Sequence, residues 1–340
     1  MAGLTRYDNT DKVIDTQKIS TSTWSDNTND VSGFLNFTSS ITTATDTTSS
    51  AAFYRELYND ASSTETQFAI AYGHLKGSGS LDFTNDAGAI GNSATKVIYN
   101  QYRQLVYGDE NSNFNFNDTT PDDIFVININ RARYKHNLKP GTLNLKLSGS
   151  ELQEIQLTDD SVTLSGSATI TNAGRQFNLV SGSSGTMSGS SLNQAVGGNS
   201  GSYGFFYPDA GFIILNAAAL SASLHISRSL GSNVINDNLN QFMTSISGGG
   251  SFIVDSEEKV TSQYFFTRAK NNEYNYTTNP SFIDTNGNLN YTSMVDNPKT
   301  YITTIGLYND SNDLVAVAKV SQPITKDFSK EALIRVKLDY

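Results

Sequence analysis

Between residues 301 and 340 the chain alternates apolar and polar residues at period two, broken by turn chemistry, and this pattern constrains the fold most. Residues 301–307 and 314–320 flank the polar stretch 308–313, the signature of a β-hairpin. The closing run ALIRVKLDY sets Leu333, Ile334, Val336 and Leu338 against Arg335 and Lys337. Successive strand side chains point to opposite faces, so such runs must be laid into sheets, and a chain ending in one is tied down there. The same grammar recurs upstream. FYRELYND and TQFAIAYGH predict a hairpin across residues 61–65, and FFY and FIIL predict another around Pro208, Asp209, Ala210 and Gly211. DIFVININ reads as a buried strand, and TLNLKLSG places Leu143, Leu145 and Leu147 on one face.

Helical periodicity is confined to two segments. Residues 93–107 form the stronger, with Ser93 as cap, Val97, Ile98, Tyr102, Leu105 and Val106 on one face, and Gly108 as terminator. Residues 234–246 carry Val234, Ile235, Leu239, Phe242, Met243 and Ile246 on one face and end at three glycines. The expected class is therefore mainly β with a few helices (α+β), with antiparallel sheets in a β-sandwich-like core. Residues 1–50 read as an extended N-terminal arm, either solvated or docked on a neighbour through Trp24. Residues 51–149 are the first part of a β-rich core with one helix. Residues 150–202 form a Ser/Gly-rich β insertion or subdomain, and 203–340 the second part of the core with the C-terminal hairpin and final strand.

Composition narrows function by exclusion. With 33 acidic against 23 basic residues the net charge is −10, which opposes binding to nucleic acid or an anionic membrane. The absence of cysteine removes disulfides, thiolate metal sites and thiol nucleophiles. No basic segment followed by an apolar run opens the sequence, so synthesis and folding in a cytoplasm are expected.

Motifs for catalysis are weak. His74, His136 and His225 are scattered and no GxSxG elbow or phosphate loop is present. The acidic clusters at 284–288 and 309–313 suit turns better than calcium loops. The pairs Asp122–Asp123, Asp159–Asp160 and Glu257–Glu258 read as solvated loop charge, because sequence neighbours on a strand face opposite ways. No enzyme activity and no cofactor or metal are expected. The segment 268–280, RAKNNEYNYTTNP, stands out instead. Arg268, Lys270, Glu273, Tyr274 and Tyr276 among asparagines suit a protein–protein interface, where tyrosine offers area at low entropic cost. A long surface loop pinned by its own tyrosines is the alternative. The candidate interface set is thus Arg268, Lys270, Glu273, Tyr274, Tyr276 and Trp24.

The runs YFFTRAKNNEYNYTTNPSF, NPKTYITTIGLYNDSNDLVAVAKVSQPITKDFSKEALIRVKLDY, ATKVIYNQYRQLVYG and YGFFYPDAGFIILN resemble virion structural proteins of contractile-tailed, marine cyanophage-like bacteriophages. The resemblance spans about residues 53–340 and is weakest over 150–202. It implies a non-enzymatic structural subunit of the tail, foremost a baseplate wedge component, located in the virion. Its partners would be other tail and baseplate proteins in a symmetric assembly of multiple copies, without nucleic acid or membrane insertion. A neck protein, a fibre-attachment role, or a receptor- or carbohydrate-binding module is the alternative.

Overall fold

A computed structural model describes residues 6–24, 35–38, 54–58, 65–77, 93–117, 119–149, 153–163, 168–188, 195–196, 199–200, 202–226, 228, 237–275 and 281–340. The chain is mainly β, with three α-helices among the described residues, and every strand pair with a described register is antiparallel. In chain order the strands begin with β1 (Lys12–Ser22), β2 (Leu35–Thr38), β3 (Tyr54–Tyr58) and β4 (Thr66–His74). Helix α1 (Ala94–Tyr107) precedes β5 (Asp123–Ile129), β6 (Asn137–Leu138), β7 (Asn144–Ser148) and β8 (Glu154–Asp159). Then come β9 (Thr169–Thr171), β10 (Gly174–Ser183), β11 (Thr186–Met187), β12 (Ala195–Val196) and β13 (Asn199–Ser200). Strands β14 (Gly204–Tyr207) and β15 (Phe212–Asn216) lead into α2 (Ala217–Leu224) and α3 (Asp237–Ser247). The chain closes with β16 (Ser251–Ile253), β17 (Asp255–Ala269), β18 (Thr300–Tyr308), β19 (Leu314–Lys326) and β20 (Ala332–Asp339).

Two compact units result: Met1–Lys18 with Lys259–Tyr340, and Ile19–Glu258. The larger is built on one sheet of order β16-β7-β8-β10-β14-β15-β5-β4-β3-β2. Residues 150–202 contribute β8 and β10 to the interior of this order. Strands β4, β5, β14 and β15 bury both faces, and their alternation sorts side chains into two cores. Phe68, Ile70, Tyr72, Phe125, Ile127, Phe206, Ile213 and Leu215 point into one, with α2 and α3. Ala71, Ile124, Val126, Phe205, Tyr207, Phe212 and Ile214 point into the other, beneath α1. The sheet curls until Phe252 of β16 meets Phe68 of β4 edge to face, ring centroids 5.4 Å apart. This curl encloses a sandwich-like core within one sheet.

Helix α1 starts where Ser93 accepts the Lys96 amide and ends at Gly108, whose φ of 75° is open to glycine at little cost. Its buried face is Ala94, Ile98, Tyr99, Tyr102, Arg103 and Val106, while Val97 and Leu105 are exposed, which corrects the expected stripe. The apolar set spans more than half the helix circumference, and packing on β4 selects the side carrying Tyr99 and Tyr102. Helix α3 is described from Asp237, and Val234 and Ile235 lie outside the described residues. Helix α2 was not anticipated. Asn216 caps it by accepting the Ala219 amide at 3.1 Å, and the following alanines favour helix.

In the smaller unit, β20 pairs with β17 from Ser262–Asp339 to Ala269–Ala332, and β1 flanks β17 on the other side. The C-terminal strand is thus anchored as expected. Strands β18 and β19 form a separate two-stranded sheet. The turns read from the acidic clusters are present: Asp284 accepts the Asn286 and Asn288 amides, and Asn309 accepts that of Asp313.

Candidate interaction surface

The segment after β17 is held by a lysine. Lys326, at the end of β19, is fully buried and donates to Asn271 O (3.0 Å), Asn275 Oδ1 (2.7 Å) and Asp327 O (3.0 Å). All three acceptors are neutral oxygens, so the ammonium is solvated by the loop it holds. Asn275 is buried by this clamp and donates back to Asn271 O at 2.7 Å. Its neighbour Tyr274 takes φ of 53°, a left-handed conformation unusual for tyrosine, and is exposed. The Thr300 hydroxyl donates to its carbonyl, fixing the loop to the start of β18.

Around the clamp sit three more of the expected residues. Arg268 faces Glu331, the residue just before β20, Nε to Oε2 at 3.1 Å, with both side chains well exposed. The guanidinium bond holds the Glu331 carboxyl below the usual range, and the Arg268 pKa rises in return. Glu273 accepts the Lys270 amide at 3.0 Å and donates its own amide to Lys270 O at 3.1 Å, closing a tight turn. The structure therefore places Arg268 at the end of β17 and Lys270, Glu273 and Tyr274 on the clamped segment that follows it. Tyr276 lies outside the described residues.

Trp24 is corrected. It is 4% exposed in the core of the larger unit, donates Nε1–H to Phe252 O at 2.6 Å, and packs against Phe68 and Phe252 at centroid distances of 5.6 and 5.0 Å. An indole with its N–H satisfied inside a core offers nothing to a partner.

The surface of the smaller unit is unusual in a second way. Of the 19 large hydrophobic residues exposed among the described residues, 14 belong to this unit, which is less than a third of the chain. All eleven residues of β1 are exposed, Val13 and Ile14 included. The hairpin adds Tyr301, Tyr308, Leu314, Val315 and Val317, and β20 adds Leu333. Isolated exposed apolar residues are ordinary, and their concentration in this unit makes it the candidate interaction surface.

In the larger unit the polar chemistry is mostly inward. Asp123, Asp159, Asp160 and Glu257 are buried, which corrects their reading as solvated loop charge; in each pair at least one carboxylate anchors the fold. Asp123 binds Arg228 at 2.5 Å and accepts from the Tyr72 hydroxyl at 3.2 Å. His74 opposite it accepts the Lys76 amide at 3.1 Å, and burial lowers its pKa. Asp159 accepts from the Gly141 amide (2.8 Å) and the Ser161 hydroxyl, and Asp160 from Asn178 Nδ2 (2.8 Å) and its amide (3.0 Å). Burial raises the pKa of both. These groups are committed to holding loops in place. One open polar cleft of about 370 Å³ lies beside β4 and β5, lined by Glu56, Thr66, Asn128, Asn130, Arg131 and Tyr134. The Arg131 guanidinium lies over the Tyr134 ring, 4.6 Å from its centroid. Among the described residues no group of three or more His, Asp or Glu could hold a metal, and no helix is long and apolar enough to cross a membrane.

The Lys326 clamp could not be foreseen, because TKDFS resembles any polar strand end. Comparison with known family models, curated proteins and solved structures finds no match.

Proposed function

We propose that this chain is a non-enzymatic assembly subunit, and that the assembly is a phage contractile tail, with the baseplate wedge as its place. The observation that carries the assembly reading is the concentration of exposed apolar strand residues in the smaller unit, beside the clamped loop. Apolar strands left in water are costly at about 25 cal/mol per Å², and an assembly covers them. The runs over 264–340 and their likeness to virion structural proteins support the phage tail as the assembly. Its partners would be other tail proteins in a symmetric array. Mass spectrometry and electron microscopy of purified virions test this: the chain is expected in tails at fixed stoichiometry, and its absence from virions overturns the proposal.

The polar cleft favours a second reading, a carbohydrate-binding module. Glu56, Asn128 and Arg131 offer donors and acceptors around Tyr134, a common way to hold a sugar. Titration calorimetry with host surface glycans distinguishes the two. Binding abolished by Arg131→Ala supports this reading, and no heat with any glycan removes it.

A further inference from the structure

The two edges of the β18–β19 sheet are treated differently. The outer side of β19 is blunted: between Thr304–Lys319 and Ile302–Ile324 it carries four residues, Val320, Ser321, Gln322 and Pro323, against the single Thr303 of β18. Bulges, prolines and charges on edges are what keep strands from adding to them. Strand β18 has none of these charges or prolines, its nine residues reading TYITTIGLY. The edge strand β1 has Lys12, Asp15 and Lys18, and β20 has Arg335, Lys337 and Asp339. Among the described edge strands longer than four residues, β18 alone is unguarded.

Charge identifies the occupant. The smaller unit carries 12 basic and 11 acidic residues, whereas the larger carries 11 and 22. Two copies therefore repel through the larger unit and can meet through the near-neutral smaller one. An edge without charge has nothing with which to select an oppositely charged partner, but it is complementary to itself. We propose that β18 pairs antiparallel with β18 of a second copy about a two-fold axis, giving a four-stranded sheet of order β19-β18-β18-β19. Two isolated strands are marginal in water, whereas four with an apolar face are stable. A two-fold overlap of the whole strand sets its middle residue, Thr304, opposite Thr304 of the partner subunit. Tyr301 then lies opposite Leu307 of the partner subunit, an aromatic–aliphatic pair of the kind that stabilises sheets. This inference rests on the assembly reading and names the copy-to-copy contact within it.

The chain has no cysteine, so an introduced one can form a disulfide only between copies. In the two-fold pair, residues at 304 lie about 5 Å apart, within disulfide reach. Residues at 308 lie eight positions apart along the strands, about 27 Å. Under mild oxidation Thr304→Cys is expected to become a covalent dimer and Tyr308→Cys to stay monomeric. Thr304→Glu faces Lys319 within its own hairpin, which favours folding, but sets like charges across the two-fold axis. Sedimentation is expected to show a wild-type dimer at micromolar concentration and at least a tenfold weaker Thr304→Glu dimer with unchanged circular dichroism. Equal cross-linking of both cysteine variants, or a Thr304→Glu dimer as tight as wild type, overturns the proposal. So does a wild-type chain that stays monomeric, although that result leaves the assembly reading intact, which presence in virions decides.

Discussion

Replacing Lys326 with methionine isolates what the clamp does. Methionine has a similar volume and no donor, so the core around position 326 stays filled while three bonds at 2.7–3.0 Å are lost. A hydrogen bond from a charged donor contributes roughly 1.5–3 kcal/mol. Against this, removing the ammonium also removes its burial cost, which is several kcal/mol. The Asn271 and Asp327 carbonyls and Asn275 Oδ1 are left to find water, at about 1–3 kcal/mol for each that fails. The net expectation is a loss of about 2–4 kcal/mol, confined to the smaller unit. The single tryptophan is buried in the larger unit, so its fluorescence reports that unit alone. In urea, Lys326→Met is expected to leave the tryptophan transition unmoved. Hydrogen exchange at the amides of Glu273 and Asn275 should quicken at least tenfold. Unchanged protection over residues 270–275 would refute the clamp, and an equal shift in the tryptophan transition would refute its confinement to one unit.

Three further outcomes follow from named contacts. Trp24→Phe loses the bond to Phe252 O and part of the ring packing, and is expected to lower urea stability of the larger unit by about 1–3 kcal/mol; a loss under 0.5 kcal/mol contradicts its role as a core anchor. Acidification should act oppositely on local groups: Asp327, Glu331 and Asp339 have pKa values lowered by bonds to Ser329, Arg268 and Ser262, so the stability they add is full at neutral pH and is lost as pH falls below about 4. Asp159 and Asp160 have raised values, so they penalise the folded state at neutral pH and the penalty fades as pH falls through those values. Exchange protection of the Gly141 and Asn178 amides should therefore rise on mild acidification, and a fall reverses the sign of the argument. Tyr274→Asn removes an exposed ring while asparagine tolerates the left-handed backbone. It should weaken assembly with stability changed by less than about 0.5 kcal/mol, and unaltered incorporation into particles counts against the loop as a contact.

Strands were legible wherever period two met turn chemistry. The hairpins β3–β4, β14–β15 and β18–β19 are local, so their pairing is written in neighbouring residues. The curl that brings Phe252 to Phe68 joins residues 184 positions apart, and no local pattern encodes it. That curl also explains Trp24: a lone aromatic in a polar segment reads as a docking group until the core it completes is known. The carboxylate pairs misled for a related reason. Adjacent residues do face opposite ways, but loop amides and hydroxyls at Gly141, Ser161 and Asn178 supply the inward solvation that sequence does not display. The candidate segment 268–280 stood out by its composition, whereas the buried lysine that holds its first residues had no signal in the sequence.

We propose that the smaller unit carries the assembly surface. Hydrogen exchange of the chain alone and within purified particles tests it most directly. The amides of β1, β18 and β19 and of residues 270–275 are expected to exchange at least tenfold more slowly in the particle, while the cleft beside β4 and β5 is unchanged. Protection gained at that cleft, with β18 and β19 exchanging as fast as in the free chain, would contradict the claim.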